Sequence, residues 1–185
     1  MQRSRVTEFI KDLVSSVAFV ALIVAIGIAA TGCWPFMVAV ESESMVPNLM
    51  VGDVVFLVHP SRIGGITTWE EGKQTGYRSF GDYGDVIVFY PNGHGKPIIH
   101  RAIAYVNASE VIPVRSGERL SSSDQKAEIS GYITQGDANR DPDQLALIRT
   151  SNGVEKIQPV QENWIVGVAK FRIPLIGYLR LLIPV

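Results

Sequence analysis

The chain has 185 residues, with 17 lysines and arginines against 18 acidic residues for a net charge of −1, one cysteine and 46% hydrophobic residues. This suits one modest domain with a real core and excludes a disordered tail protein, and near-zero charge is unlike a nucleic-acid binder, which carries a basic face or arm. A single cysteine supplies neither an intrachain disulfide nor a cysteine-based zinc site, and no other metal site is expected. The mean hydropathy of +0.18 is high for a soluble domain and points to a segment in lipid.

In chain order, residues 1–12 carry Arg3, Arg5 and Lys11, and Leu13 to Phe36 follow without one Asp, Glu, Lys or Arg. A helix needs about 20 apolar residues to cross about 30 Å of hydrocarbon, so 13–36 is expected to be a transmembrane helix. The next basic residue is Arg62, so the positive-inside rule puts residues 1–12 in the cytoplasm and everything after about residue 37 outside the cell membrane. A cleavable signal has a shorter apolar region. Cys33 reads as a small apolar residue at the end of the span.

Beyond the span the period changes. Val54–Val58, Val86–Tyr90, Ile98–Val106, Ile129–Thr134 and Trp164–Phe171 are β-branched runs bounded by Gly, Pro, Asn and Asp, the signature of strands. Residues 37–172 are expected to form a mainly β domain. The polar, glycine-containing stretch 59–84 reads as an inserted loop or hairpin outside the core, and Pro91–Gly95 and Ser121–Gln125 read as surface turns. The apolar tail 173–185 is too short to cross a bilayer and is expected to rest on the membrane.

Three short stretches carry chemistry: Ser42-Glu43-Ser44-Met45-Val46-Pro47 with Gly52-Asp53, beginning just after the span; Ile98-Ile99-His100-Arg101; and Gly136-Asp137-Ala138-Asn139-Arg140-Asp141-Pro142-Asp143. Singly they read as an ordinary turn, a structural strand histidine and a solvated acidic loop. Together they supply a serine hydroxyl, an imidazole able to take its proton near pH 7, and carboxylates able to orient that imidazole.

With Gly84-Asp85-Val86-Ile87-Val88-Phe89 between them, these blocks run in the order found in type I signal peptidases, and the sequence resembles that family over residues 40–145. Bacterial members have a lysine base where this chain has His100, so the likeness is to the branch of archaea and of the endoplasmic-reticulum catalytic subunit. The resemblance implies a signal-peptidase-like β domain tethered by one transmembrane helix. It implies Ser44 as nucleophile, His100 as general base, Asp143 as the acid supporting it and Asp137 as a second acidic position of the site. It further implies the Ser44 backbone N–H and the Ser42 hydroxyl as oxyanion-hole donors. It implies a serine endopeptidase without cofactor that removes signal peptides after small residues, with signal-peptide-bearing preproteins, the lipid bilayer and the protein-export machinery as partners, and no nucleic acid. Glu43 stands where the family has Gly, and Asp141 adds a third carboxylate, which leaves the partner of His100 open. The rival from another class is a membrane-tethered β module that binds a partner without catalysis.

Overall fold

A computed structural model describes residues 2–150 and 153–174 of the chain. The N-terminal apolar run forms α1 (Gln2–Thr31), a 30-residue helix and so about 45 Å long. Within it, Thr7–Thr31 is long and apolar enough to cross a membrane, and Phe9, Phe19, Leu22 and Ile26 are exposed. The helix stops short of the expected Phe36. Gly32 takes φ +74°, a left-handed conformation that ends a helix and favours glycine. Cys33, expected at the end of the span, instead lies in the β-domain core with Val40 and Leu57, its Sγ donating to Leu57 O at 3.4 Å.

β1 (Met37–Ala39) and β2 (Val54–Val58) pair antiparallel. The stretch 59–84 contains the expected hairpin, β3 (Arg78–Ser79) and β4 (Asp82–Tyr83), but a helix, α2 (Trp69–Thr75), precedes it. A capping box starts α2: the Thr68 hydroxyl accepts from the Glu71 N–H, and the Glu71 carboxylate accepts from the Thr68 N–H. The stretch is not outside the core, because Trp69, 2% exposed, packs with Ile103, Ile112 and Ile133.

Next come β5 (Val86–Phe89), β6 (Ile98–Val106), β7 (Val111–Ser116), β8 (Arg119–Lys126), β9 (Gly131–Gln135), β10 (Leu147–Thr150), β11 (Gly153–Lys156) and β12 (Ile165–Ile173). Four of these strands join β1 and β2 in one six-stranded antiparallel sheet in the order β1-β2-β12-β5-β6-β9. β5 sits inside it with both faces covered: Val86 and Val88 enter one core cluster, Ile87 and Phe89 another. That double burial explains why its sequence is apolar at every position rather than alternating.

Ser121–Gln125, expected as a turn, lies within β8, which pairs with β7 as a two-stranded ribbon. Ser and Asp favour turns through local hydrogen bonds, but here the turn falls earlier, at Gly117-Glu118, and the polar run becomes the ribbon's exposed strand. The expected membrane-resting tail lies outside the described residues from position 175 onward.

Candidate active site

The loop from β1 to β2 carries the two serines, and its neck is closed by backbone bonds. The Val40 N–H donates to Asp53 O at 2.8 Å and the Gly52 N–H to Val40 O at 2.9 Å. The Asp53 carboxylate accepts from the Met50 N–H and from Arg172. Inside the loop, Glu43–Met45 makes one 3-10 turn. Met45 and Leu49 point inward and are fully buried against Val55 and Val86, and each contributes about 1.5–3 kcal/mol of burial free energy. With these two anchors inside, Ser42 and Glu43 are left exposed and Ser44 half-buried. Glu43 does not have a positive φ, so nothing in this turn requires the glycine of the family pattern.

His100 comes from the middle of the sheet, on β6 opposite Ile87 of β5, and is 6% exposed. Its Nε2 is 2.9 Å from Ser44 Oγ. Its Nδ1 lies 2.7 Å from Asp143 Oδ2 and 2.9 Å from Oδ1. An ionised carboxylate can only accept, so Nδ1 carries the ring proton and Nε2 is the acceptor turned toward the serine hydroxyl. Ser42 Oγ stands 3.1 Å from Ser44 Oγ. With the Ser44 proton directed to His100, the Ser42 hydroxyl is the donor of that pair.

The acidic loop after β9 contributes two carboxylates with different partners. Asp143, 7% exposed, also accepts the Thr134 hydroxyl at 2.6 Å. Asp137 faces Arg101, not His100: Arg101 donates from Nε to Oδ1 at 2.8 Å and from its terminal nitrogen to Oδ2 at 2.6 Å. Asn48 Nδ2 adds a bond to Asp137 Oδ2 at 2.9 Å. The fully buried Arg101 donates as well to the carbonyls of Ser79, Tyr83 and Gly84, which ties the β3–β4 hairpin beneath the site. Asp141 is exposed.

The same loop clamps the serine turn. The Ala138 N–H donates to Ser44 O at 2.9 Å, and a Cβ on Gly136 would stand 2.6 Å from that oxygen. Glycine is therefore required at 136 by close approach to the backbone of Ser44.

A family model described as signal peptidase, peptidase S26, matches residues 10–171. The chain belongs to this signal peptidase family. It is also similar to the signal peptidase complex catalytic subunit SEC11 of Komagataella phaffii, at 26% identity over 147 residues, which is 80% of this chain and 66%, just under two thirds, of that relative. That likeness falls on the endoplasmic-reticulum side of the type I signal peptidases, the side to which His100 pointed. In this signal peptidase chain the structure brings Ser42, Ser44, His100 and Asp143 into one line of contacts and sets Asp137 on Arg101.

Residue types alone did not pick out Thr134, Gln144 or Asn48. Thr134 looks like any β-branched strand residue, and Gln144 like a loop amide. Asn48 had one cue, a polar residue directly after the serine box.

Proposed function

We propose that this chain is a membrane-anchored serine endopeptidase that removes N-terminal signal peptides from secreted and membrane preproteins, cutting after small residues at the outer membrane face. The observation that carries this reading is the unbroken line from Ser44 Oγ through His100 to Asp143, at 2.9 and 2.7 Å. In the proposed reaction Ser44 Oγ attacks the scissile carbonyl carbon while His100 Nε2 takes its proton. Asp143 holds the ring with Nδ1–H toward itself and offsets the charge of the imidazolium. The Ser44 N–H and the Ser42 hydroxyl, whose proton turns from Ser44 Oγ as that oxygen attacks, are the proposed donors to the oxygen that becomes negative, where one such donor contributes about 2.7–4 kcal/mol to the transition state. Collapse breaks the C–N bond, and His100 returns the proton to the leaving amine, the new N-terminus of the mature protein. Water, deprotonated by His100, then hydrolyses the serine ester and frees the signal peptide.

Placement supports the same reading. α1 ends at Thr31, and Ser44 follows only 13 residues later (44 − 31), so an inserted α1 keeps the serine near the membrane surface, where a preprotein presents its cut site. Arg3, Arg5 and Lys11 precede the apolar run, which favours a cytoplasmic N-terminus and a catalytic domain on the outer face of the cell membrane. β1 is an edge strand that leads straight into Ser42, and an extended substrate segment pairing with that edge runs past Ser44.

The test is cleavage of a secreted precursor by the purified full chain in detergent. Ser44→Ala is expected to abolish product formation while precursor binding remains. Cleavage surviving that substitution would sink the serine-protease reading, and a wild-type chain that binds but never cleaves would favour a tethered binding module.

A further inference from the structure

We propose that Thr134 is a positioning residue for this reaction, holding the Asp143 carboxylate in line with His100, and that Gln144 fixes the direction of its proton. The proposal rests on the Ser44–His100–Asp143 reading above. Thr134 lies on β9 opposite Ala102 of β6 and is fully buried, as is Gln144. Its hydroxyl oxygen is 2.6 Å from Asp143 Oδ2 and 3.2 Å from Gln144 Nε2. An amide nitrogen can only donate and an ionised carboxylate can only accept, so the hydroxyl accepts from Gln144 and directs its single proton to Asp143.

The Gln144 amide cannot be reversed. Its Oε1 accepts the Thr134 backbone N–H at 2.9 Å, and its Nε2 also faces Gln158 O at 3.4 Å. Donors therefore run one way, from Gln144 through Thr134 to Asp143 Oδ2, the oxygen that also takes the Nδ1–H of His100 at 2.7 Å. Two donors on one carboxylate oxygen, from two strands, restrict the rotation of the carboxylate and with it the ring angle that keeps Nε2 on Ser44. Valine has the same branching, so Thr134→Val removes the hydroxyl without changing the backbone preference of the strand.

A donor to a carboxylate favours its charged form. Removing it makes the His100–Asp143 pair take up a proton more readily, so the acid limb of the rate profile moves to higher pH. Among the described residues, the charged groups in hydrogen-bond contact at this locus are Asp143 and, once protonated, His100, with Glu43 exposed on the serine turn beside Ser44. On the other face of β6 Arg101 is closed on Asp137, which Arg115 also approaches at 3.5 Å, and Asp141 is exposed.

Thr134→Val and Thr134→Ser in the full chain, assayed for precursor cleavage across pH beside Ser44→Ala and His100→Ala, test the proposal. Thr134→Val is expected to lower kcat roughly tenfold or more, with KM within about twofold, and to shift the acid limb upward, while Thr134→Ser restores both. A wild-type kcat and acid limb in Thr134→Val overturns the proposal. So does equal impairment of the Val and Ser variants with an unshifted limb, which assigns the position to packing. If Thr134→Val does not fold, Thr134→Ala, which adds no bulk, carries the same readings. Cleavage surviving in Ser44→Ala and His100→Ala overturns the underlying site reading, whereas its loss there with Thr134→Val unaffected overturns the positioning role alone.

Discussion

Asp137 and Asp143 sit in one loop, both with their carboxylates nearly covered, and their partners give them different work. Asp143 accepts from His100 and Thr134, and Asp137 neutralises the fully buried Arg101. On the proposed roles, Asp143→Asn keeps the shape but removes the charge that fixes the imidazole tautomer, and cleavage falls on the order of 10⁴-fold in a folded protein. Asp137→Asn leaves the Arg101 guanidinium buried without its counter-charge, which destabilises the fold by about 3–5 kcal/mol. Paired urea-melt and cleavage measurements separate the two: the first variant loses rate at an unchanged midpoint, the second loses midpoint while its folded fraction still cleaves. The reverse pattern would exchange the two assignments.

At the scale of elements, the chain after α2 is fastened to the sheet through one buried carboxylate. Tyr77 donates its hydroxyl to Asp85 Oδ1 at 2.7 Å, and Lys170 of β12 reaches the same oxygen at 2.9 Å and the Tyr77 hydroxyl at 3.1 Å. Burial, and then the hydrogen bond to Asp85, push the Tyr77 phenol above its ordinary 10.0. Burial works against the Lys170 ammonium, yet its bonds to Asp85 and Tyr77 outweigh that and hold it above its ordinary 10.5. Both groups bind their proton more tightly folded than unfolded. The stability they add is therefore complete below their unfolded values near pH 10 and is lost as pH rises through the raised folded values. Lys170→Met should flatten the decline of the urea midpoint between about pH 9 and pH 11, and an unchanged decline would show that the cluster does not contribute.

At the scale of the whole molecule, two solvents are implied by one chain. The β domain turns its apolar residues into three core clusters, whereas α1 leaves Phe9, Val14, Phe19, Leu22 and Ile26 uncovered. Each such side chain in water forgoes about 1.5–3 kcal/mol of burial free energy, so α1 is expected to sit in lipid. The full chain should then stay with the membrane pellet after alkaline carbonate and high-salt washes and leave only with detergent. Release by salt would mean that α1 is covered by protein instead.

Much of this architecture was legible in local sequence. The five expected strand runs lie on β2, β5, β6, β9 and β12, because β-branched residues between turn formers read as strand wherever they occur. The ribbon strand β8 was not legible, since its Ser and Asp residues look the same in a turn as on a solvent-facing strand. Trp69 was not either, because a tryptophan in a polar stretch shows its burial only when Ile103 and Ile133 arrive from β6 and β9. The serine, the histidine and the acids could be named from residue type and order.

By itself, the sequence determined that one long apolar helix precedes a mainly β chain, where five of the six strands of the central sheet run, and which groups are available for acid–base chemistry. These follow from hydropathy, periodicity and side-chain type, all of them local. Only the tertiary structure decided which carboxylate meets His100. Asp137 and Asp143 share one loop and one composition, and the choice between them is made when β6 and β9 pair in register and Arg101 takes Asp137 from 36 positions away, leaving Asp143 to close on His100 across 43.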